Sequence, residues 1–236
     1  MVFCGVAIAT TIAVDIDYDL TGDNDTVIEE VGPSYDICDL CKCDELDNLP
    51  LHIDCSNIGL DQVPESLENV VENRSVTVNF SYNKFSNISG FPGIQVWEVD
   101  FSHNEISSID KYMFANISKD LLHLDLGDNK IDAAGLNDES FGKNMVEDDT
   151  PFALIDLSLA NNRIHSLPSA IFAQLGNLED LDLSVNPLGD MDDSTATAIG
   201  SVVSLHFLSL SECQLSFLPL PLLSGLTQLL RLFYKC

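Results

Sequence analysis

Basic residues are scarce in this chain. Ten lysines and arginines stand against 38 aspartates and glutamates in 236 residues, a net charge of −28. Phosphate backbones need the opposite sign, so nucleic acid is excluded as a partner, and anionic membrane surfaces are disfavoured. Long apolar runs are missing too. The richest stretch, Leu215 to Leu226, is broken by two prolines and Ser224, so nothing in the chain inserts directly into a membrane. Catalytic signatures are absent: there is no phosphate-binding glycine loop, no HExxH and no GxSxG. The five histidines (His52, His103, His123, His165 and His206) are scattered, and His123 near Asp125 has no nucleophile motif beside it. The sequence calls for no enzyme activity and no cofactor. Asp17-x-Asp19-x-Thr21-Gly22 copies the opening of a calcium loop, but its twelfth position is Ile28 where a bidentate glutamate is needed, so no metal is expected.

A repeated phrase, LxxLxLxxNxL, returns at least five times between Val76 and Leu215. Clear copies are Leu121–Ile131 (LLHLDLGDNKI), Leu154–Ile164 (LIDLSLANNRI) and Leu178–Leu188 (LEDLDLSVNPL). Its asparagine falls at Asn83, Asn104, Asn129, Asn162 and Asn186, with Cys213 in the sixth place, at gaps of 21, 25, 33, 24 and 27 residues. Apolar residues sit five and three places before each and two places after, and Phe114, Phe172 and Leu223 stand ten places after in three units. Period-two apolar spacing makes a strand with one buried face. No single unit can bury that face alone, so the units must stack, with the strands in a parallel sheet. The asparagine column sits where the chain leaves the strand, and an amide there satisfies backbone groups otherwise buried unpaired.

This pattern resembles the leucine-rich repeat family, in which cysteine is a familiar substitute for the asparagine. The resemblance implies an α/β solenoid: a horseshoe with a parallel concave β-sheet, an irregular or short-helical convex side, and a role in holding another molecule. Cys38-x2-Cys41-x-Cys43-x11-Cys55, followed by Leu51–Pro64 (LHIDCSNIGLDQVP), resembles the N-terminal cysteine cap of extracellular members such as Slit proteins, small leucine-rich proteoglycans and Toll-type ectodomains. Four cysteines permit three pairings. The resemblance implies Cys38 with Cys43 and Cys41 with Cys55. Cys213 is expected to be a buried thiol.

The expected organisation is a signal peptide over 1–13, without a basic residue near its start, then an acidic flexible arm over 14–37. A cysteine-rich cap follows over 38–64, and repeats fill 65–236. Cys4 would leave with the signal. The last repeat begins at Leu229, has Leu229, Leu232 and Tyr234 in phase, and stops at Cys236, so either the sequence continues or its open end pairs with another copy. Cys236 would then be unpaired or bridge two chains. Sequons at Asn24, Asn73, Asn79, Asn87 and Asn116 are glycosylation candidates, and the acid-flanked Tyr18 is a sulfation candidate. The long unit after Asn129 places an acidic loop near Asn137–Thr150, and Asp190–Ser201 has the composition of a short helix.

The residues between the buried strand positions point to the concave face: Thr77 and Asn79, Glu98 and Asp100, His123 and Asp125, Asp156 and Ser158, Asp180 and Asp182, then Phe207 and Ser209. Six are acids, and no lysine or arginine joins them before Arg231. With Trp97 and Tyr82 at the edges, this face is the expected protein-binding surface, with Trp97, Glu98, Asp100, His123, Asp125, Asp156, Asp180 and Asp182 as its contact residues and a basic partner as its complement. Two roles follow: a secreted recognition or matrix-associated binding protein, or the outer part of a membrane-anchored receptor or adhesion protein.

Overall fold

The computed structural model describes residues 36–44, 50–65, 67, 75–88, 90–142 and 152–235. The signal peptide, nearly all of the acidic arm, Asn24, Asn73, Tyr18, Cys4, Cys236 and the loop over 143–150 lie outside these residues.

Strand follows strand at the pitch of the phrase. The order is β1 (Lys42–Asp44), β2 (Leu51–Asp54), β3 (Val76–Asn79), β4 (Asn87–Ile88), β5 (Val96–Asp100), β6 (Ser108–Ile109), β7 (His123–Asp125), β8 (Asp156–Ser158), β9 (Asp180–Asp182), β10 (Phe207–Ser211) and β11 (Arg231–Lys235). Nine of them make one sheet in the order β1-β2-β3-β5-β7-β8-β9-β10-β11. Only the β1–β2 pair within it is antiparallel; the rest run parallel, one strand per repeat. Val78, Val99, Leu124, Leu157, Leu181 and Leu208 occupy one register column, and all are buried. Fully burying such a side chain contributes roughly 1.5–3 kcal/mol.

The asparagines join the repeats into a chain of amides. Asn129 donates from Nδ2 to the carbonyls of Leu126 (3.1 Å) and Gly127 (2.9 Å) in its own repeat and of Phe101 (3.0 Å) in the one before. Its Oδ1 accepts the Ile106 N–H at 3.0 Å. The Phe101 carbonyl also accepts from Asn104, the Leu126 carbonyl from Asn162, and the Leu159 carbonyl from both Asn162 and Asn186. At the far end the Cys213 thiol donates to Leu183 O at 3.1 Å, so the thiol is buried as expected and takes part in the donor side of the pattern. At the near end Asn83 donates to Cys55 O at 2.8 Å and accepts three N–H groups from Ile58, Gly59 and Leu60. The residue before each asparagine is left-handed: Tyr82, His103, Asp128, Asn161 and Val185 have φ between 50° and 57°.

Two disulfides, Cys38–Cys43 and Cys41–Cys55, close the N-terminal end with the pairing that the resemblance implied. They tie helix α1 (Ile37–Leu40) and the β1–β2 hairpin together. Asp36 caps α1 by accepting the Cys38 N–H at 3.0 Å.

The side opposite the sheet is built from the short β4–β6 ladder, 3-10 turns at Ala115–Ile117 and Ala133–Gly135, and helices α2 (Asp193–Gly200) and α3 (Leu220–Gly225). Helix α2 lies within the expected Asp190–Ser201 segment, and its N-cap Asp192 accepts the Thr195 N–H at 2.7 Å. A row of rings runs beneath this side. Phe114 and Phe141 stand 6.5 Å apart, and Phe141 and Phe172 6.2 Å apart. The reading of Leu223 as the last member of that row is corrected here: Leu223 is 45% exposed and Leu222 is fully buried. Leu222, the buried residue of helix α3, takes the inward position one residue earlier than the ten-residue count.

Candidate protein-binding face

The outward face of the sheet carries two aligned columns. In the first, His52, Thr77, Glu98, His123, Asp156, Asp180 and Phe207 are register neighbours. In the second the neighbours are Asp54, Asn79, Asp100, Asp125, Ser158, Asp182 and Ser209. All eight expected contact residues therefore stand on β5, β7, β8 and β9, seven of them in these columns and Trp97 beside them. Adjacent strands are about 4.8 Å apart, which sets the spacing of the charges.

The columns differ in what the protein itself does with them. In the second column the side-chain oxygen turns back onto the chain. Asp100, Asp125 and Asp182 accept the N–H two residues on, from Ser102 (2.7 Å), Gly127 (2.8 Å) and Ser184 (2.8 Å). Asp54 and Asn79 do the same with Ser56 (3.0 Å) and Ser81 (2.8 Å). These are Asx turns that steer the chain out of each strand, and each residue keeps only part of its polar surface for a partner. Ser209 at the end of this column is buried rather than presented, beside the tilted rings of Phe207 and Phe233.

In the first column the side chains are freer. Glu98, His123 and Asp180 are exposed and Asp156 is half-buried. His123 Nδ1 lies 3.6 Å from Asp156, and His52 Nδ1 is 2.9 Å from the Thr77 hydroxyl. A further contact just outside the columns pairs His206 Nδ1 with Glu179 at 3.3 Å. Glu98, His123, Asp125, Asp156 and Ser158 line a depression of about 260 Å³ at the middle of the face. Burial raises the Asp125 carboxyl above its ordinary value, opposed by the Gly127 N–H and the Ser158 hydroxyl and helped by Asp100. Burial likewise raises Asp156, with His123 opposing and Asp180 adding to the rise. Unneutralised carboxylates packed side by side in this way favour a cation from outside.

Trp97 owes its place to a bulge. Val76 pairs with Val96 and Thr77 with Glu98, so Trp97 is the extra residue of β5 and its ring is 43% exposed. Along one margin Tyr82 stacks on His103 with centroids 4.2 Å apart, His103 Nε2 is 3.7 Å from Asp128, and Asp128 accepts from the Asn161 amide. The glycosylation candidates are not gathered: Asn79 is half-buried on the sheet face, whereas Asn87 and Asn116 are exposed outside the large sheet. The Glu179–His206 contact and the Asx turns were missed in the sequence reading. The turns carried a signal, the recurring Asp-x-Ser or Asp-x-Gly at the strand exits; the contact carried none.

No family model matches the chain. Podocan of Mus musculus is 31% identical over 162 residues, covering 61% of this chain and 26% of podocan. Keratocan of Danio rerio is 26% identical over 194 residues, covering 80% of this chain and 50% of keratocan. The chain thus spans about a quarter of one relative and half of the other. Among solved structures, human 5T4 (Wnt-activated inhibitory factor 1, trophoblast glycoprotein) aligns with a TM-score of 0.58 at 21% identity, covering 83% of this chain and 80% of that one. TLR13 in its complex with ssRNA13 aligns with a TM-score of 0.54 at 25% identity, covering 78% and 28%. The fold is the leucine-rich repeat solenoid. The parallel sheet, the shared-carbonyl asparagines and the paired N-terminal disulfides of this leucine-rich repeat chain all follow from that architecture. Among the described residues no helix is long and apolar enough to cross a membrane.

Proposed function

We propose that this leucine-rich repeat protein is secreted and binds another protein through the outward face of its sheet, as a recognition or matrix-associated module and not as an enzyme. One observation carries the reading: six carboxylates in two aligned columns on four adjacent strands, with no lysine or arginine among the column residues of those four strands. Such an array is costly in the free protein and is offset by a basic partner. Glu98, Asp156 and Asp180 are the foremost contacts, with His123 and Trp97 beside them; Asp100, Asp125 and Asp182 contribute field while holding their turns. The TLR13 structure holds single-stranded RNA. The sign of this face opposes that ligand class here.

The test is a titration of an arginine- and lysine-rich peptide against the protein and its Glu98→Lys, Asp156→Lys, Asp180→Lys triple variant, across a salt series. The parent is expected to bind at low salt and weaken as salt rises, and the triple variant to lose at least about tenfold in affinity. Equal binding by both proteins with no salt dependence would sink the idea.

A cell-surface role uses the same face. In that second reading the chain is the outer part of a membrane-anchored receptor or adhesion protein. A full-length transcript encoding about 20 consecutive apolar residues downstream selects it.

A further inference from the structure

Asn116 begins the sequon Asn116-Ile117-Ser118. It is exposed on the 3-10 turn Ala115–Ile117, on the side opposite the sheet. Its Nδ2 donates to the Phe91 carbonyl at 3.2 Å. Beside it lies a groove of about 330 Å³, near the lower bound of about 300 Å³ for small-molecule clefts. One wall is the exit of the cap, with Gln62, Val63, Pro64 and Glu65; the other is the turn carrying Phe91 and Pro92. Gly90 and Gly93 open the second wall, since a Cβ on either would meet no heavy atom within 4 Å. Nothing described so far uses this groove, and it shares no residue with the acidic face.

We propose that the groove is the berth of an N-linked glycan carried by Asn116 itself. The sugar is supplied as an oligosaccharide on a polyprenyl diphosphate donor. The bond from C1 of its first N-acetylglucosamine to the diphosphate oxygen breaks, and a C1–Nδ2 bond forms. One amide proton leaves as the diphosphate departs with the bonding pair. The glycosylated amide keeps one N–H, so the bond to the Phe91 carbonyl survives the modification. The first sugar then starts at the groove wall. Its C–H face and acetyl methyl match Val63, Pro64 and Pro92, and its hydroxyls match Gln62 and Glu65. Tethering removes most of the association entropy, so contacts too weak to hold a free sugar suffice here. The other described sequons lack this arrangement. Asn79 has its Oδ1 occupied by the Ser81 N–H and hydroxyl, and Asn87 does not line the groove.

The inference rests on the secreted reading, and the experiment separates the two. The full chain is expressed in secretory eukaryotic cells, glycopeptides are identified by mass spectrometry, and amide exchange is measured at Gln62, Val63, Glu65, Gly90, Phe91 and Gly93. Asn116 is expected to carry a glycan, with those amides exchanging several-fold more slowly than in Asn116→Gln and Ser118→Ala. The gap between parent and variants should vanish when all three are made with glycan transfer inhibited. Asn87→Gln is the control, and leaves those amides unchanged. A bare Asn116 beside a modified Asn87 overturns the inference alone, as does a modified Asn116 whose neighbouring amides exchange as fast as in the variants. Bare asparagines at every sequon overturn the secreted reading and the inference together.

Discussion

Asn129 shows how much one side chain does in this protein. The three carbonyls it serves each have another donor, namely Asn104, Asn162 and the His103 N–H, but the Ile106 N–H depends on Asn129 Oδ1. Asn129→Ala therefore orphans one buried donor and opens a small void, and is expected to cost about 3 kcal/mol in urea unfolding. Asn129→Asp keeps that acceptor but turns a carboxylate onto three carbonyl oxygens, so it should cost more than the alanine change; an aspartate tolerated as well as asparagine would contradict the ladder. Val185 poses the opposite case. It is β-branched, exposed, and held at φ 56°, where the preceding repeat has Asn161 at φ 50°. Val185→Asn is expected to stabilise by about 1 kcal/mol, read as a higher urea midpoint at unchanged slope.

At the scale of elements, close approach decides what can be replaced. A Cβ on Gly135 would lie 2.0 Å from the Ser107 carbonyl oxygen, because the turn Ala133–Gly135 packs against the backbone beside β6. Backbone cannot swing aside as a side chain can. Gly135→Ala should lower stability by about 1–3 kcal/mol, and a neutral result in thermal unfolding would mean the turn is looser than described. The sequence made most of these elements legible, since each strand announces itself by period two and each exit by an asparagine. It was less informative wherever spacing varies. Phe141 falls twelve places after its asparagine rather than ten and still joins the ring row between Phe114 and Phe172. Leu222 replaces Leu223 for the same reason: the connecting segments differ in length and form, and only packing fixes which apolar residue turns inward. The acidic columns were legible as positions on a face. The division of labour between them was not, because an outward-pointing aspartate and one bonded to its own backbone share the same strand register.

At the scale of the molecule, charge sets the response to pH. Asp125 and Asp156 have raised carboxyl values in the folded state, so folding favours their protonated forms. The stability they lend is present below the ordinary carboxylate range and is lost as pH rises through the raised values. Asp54, Glu105 and Glu139 are lowered, through Ser56, Lys130 and Lys111 respectively, and their contribution is lost as pH falls. Desolvation is a minor influence on these three, whereas it dominates at Asp125 and Asp156, which sit within a like-charge array. The urea midpoint is therefore expected to rise as pH falls from 7 toward the ordinary carboxylate range, and to rise less in an Asp125→Asn, Asp156→Asn variant. Asn79 shows that the amide can keep the turn at the position of Asp125. A midpoint that fell over this range, or rose equally in the variant, would refute the assignment. The amide chain bears on how the molecule comes to exist. Asn83 reaches back to Cys55, Asn104 to Phe80, Asn129 to Phe101, Asn162 to Leu126 and Asn186 to Leu159. Each anchor has left the ribosome before the residue that grips it, so a nascent chain can add finished turns one at a time, in the order of translation, onto a disulfide-locked beginning.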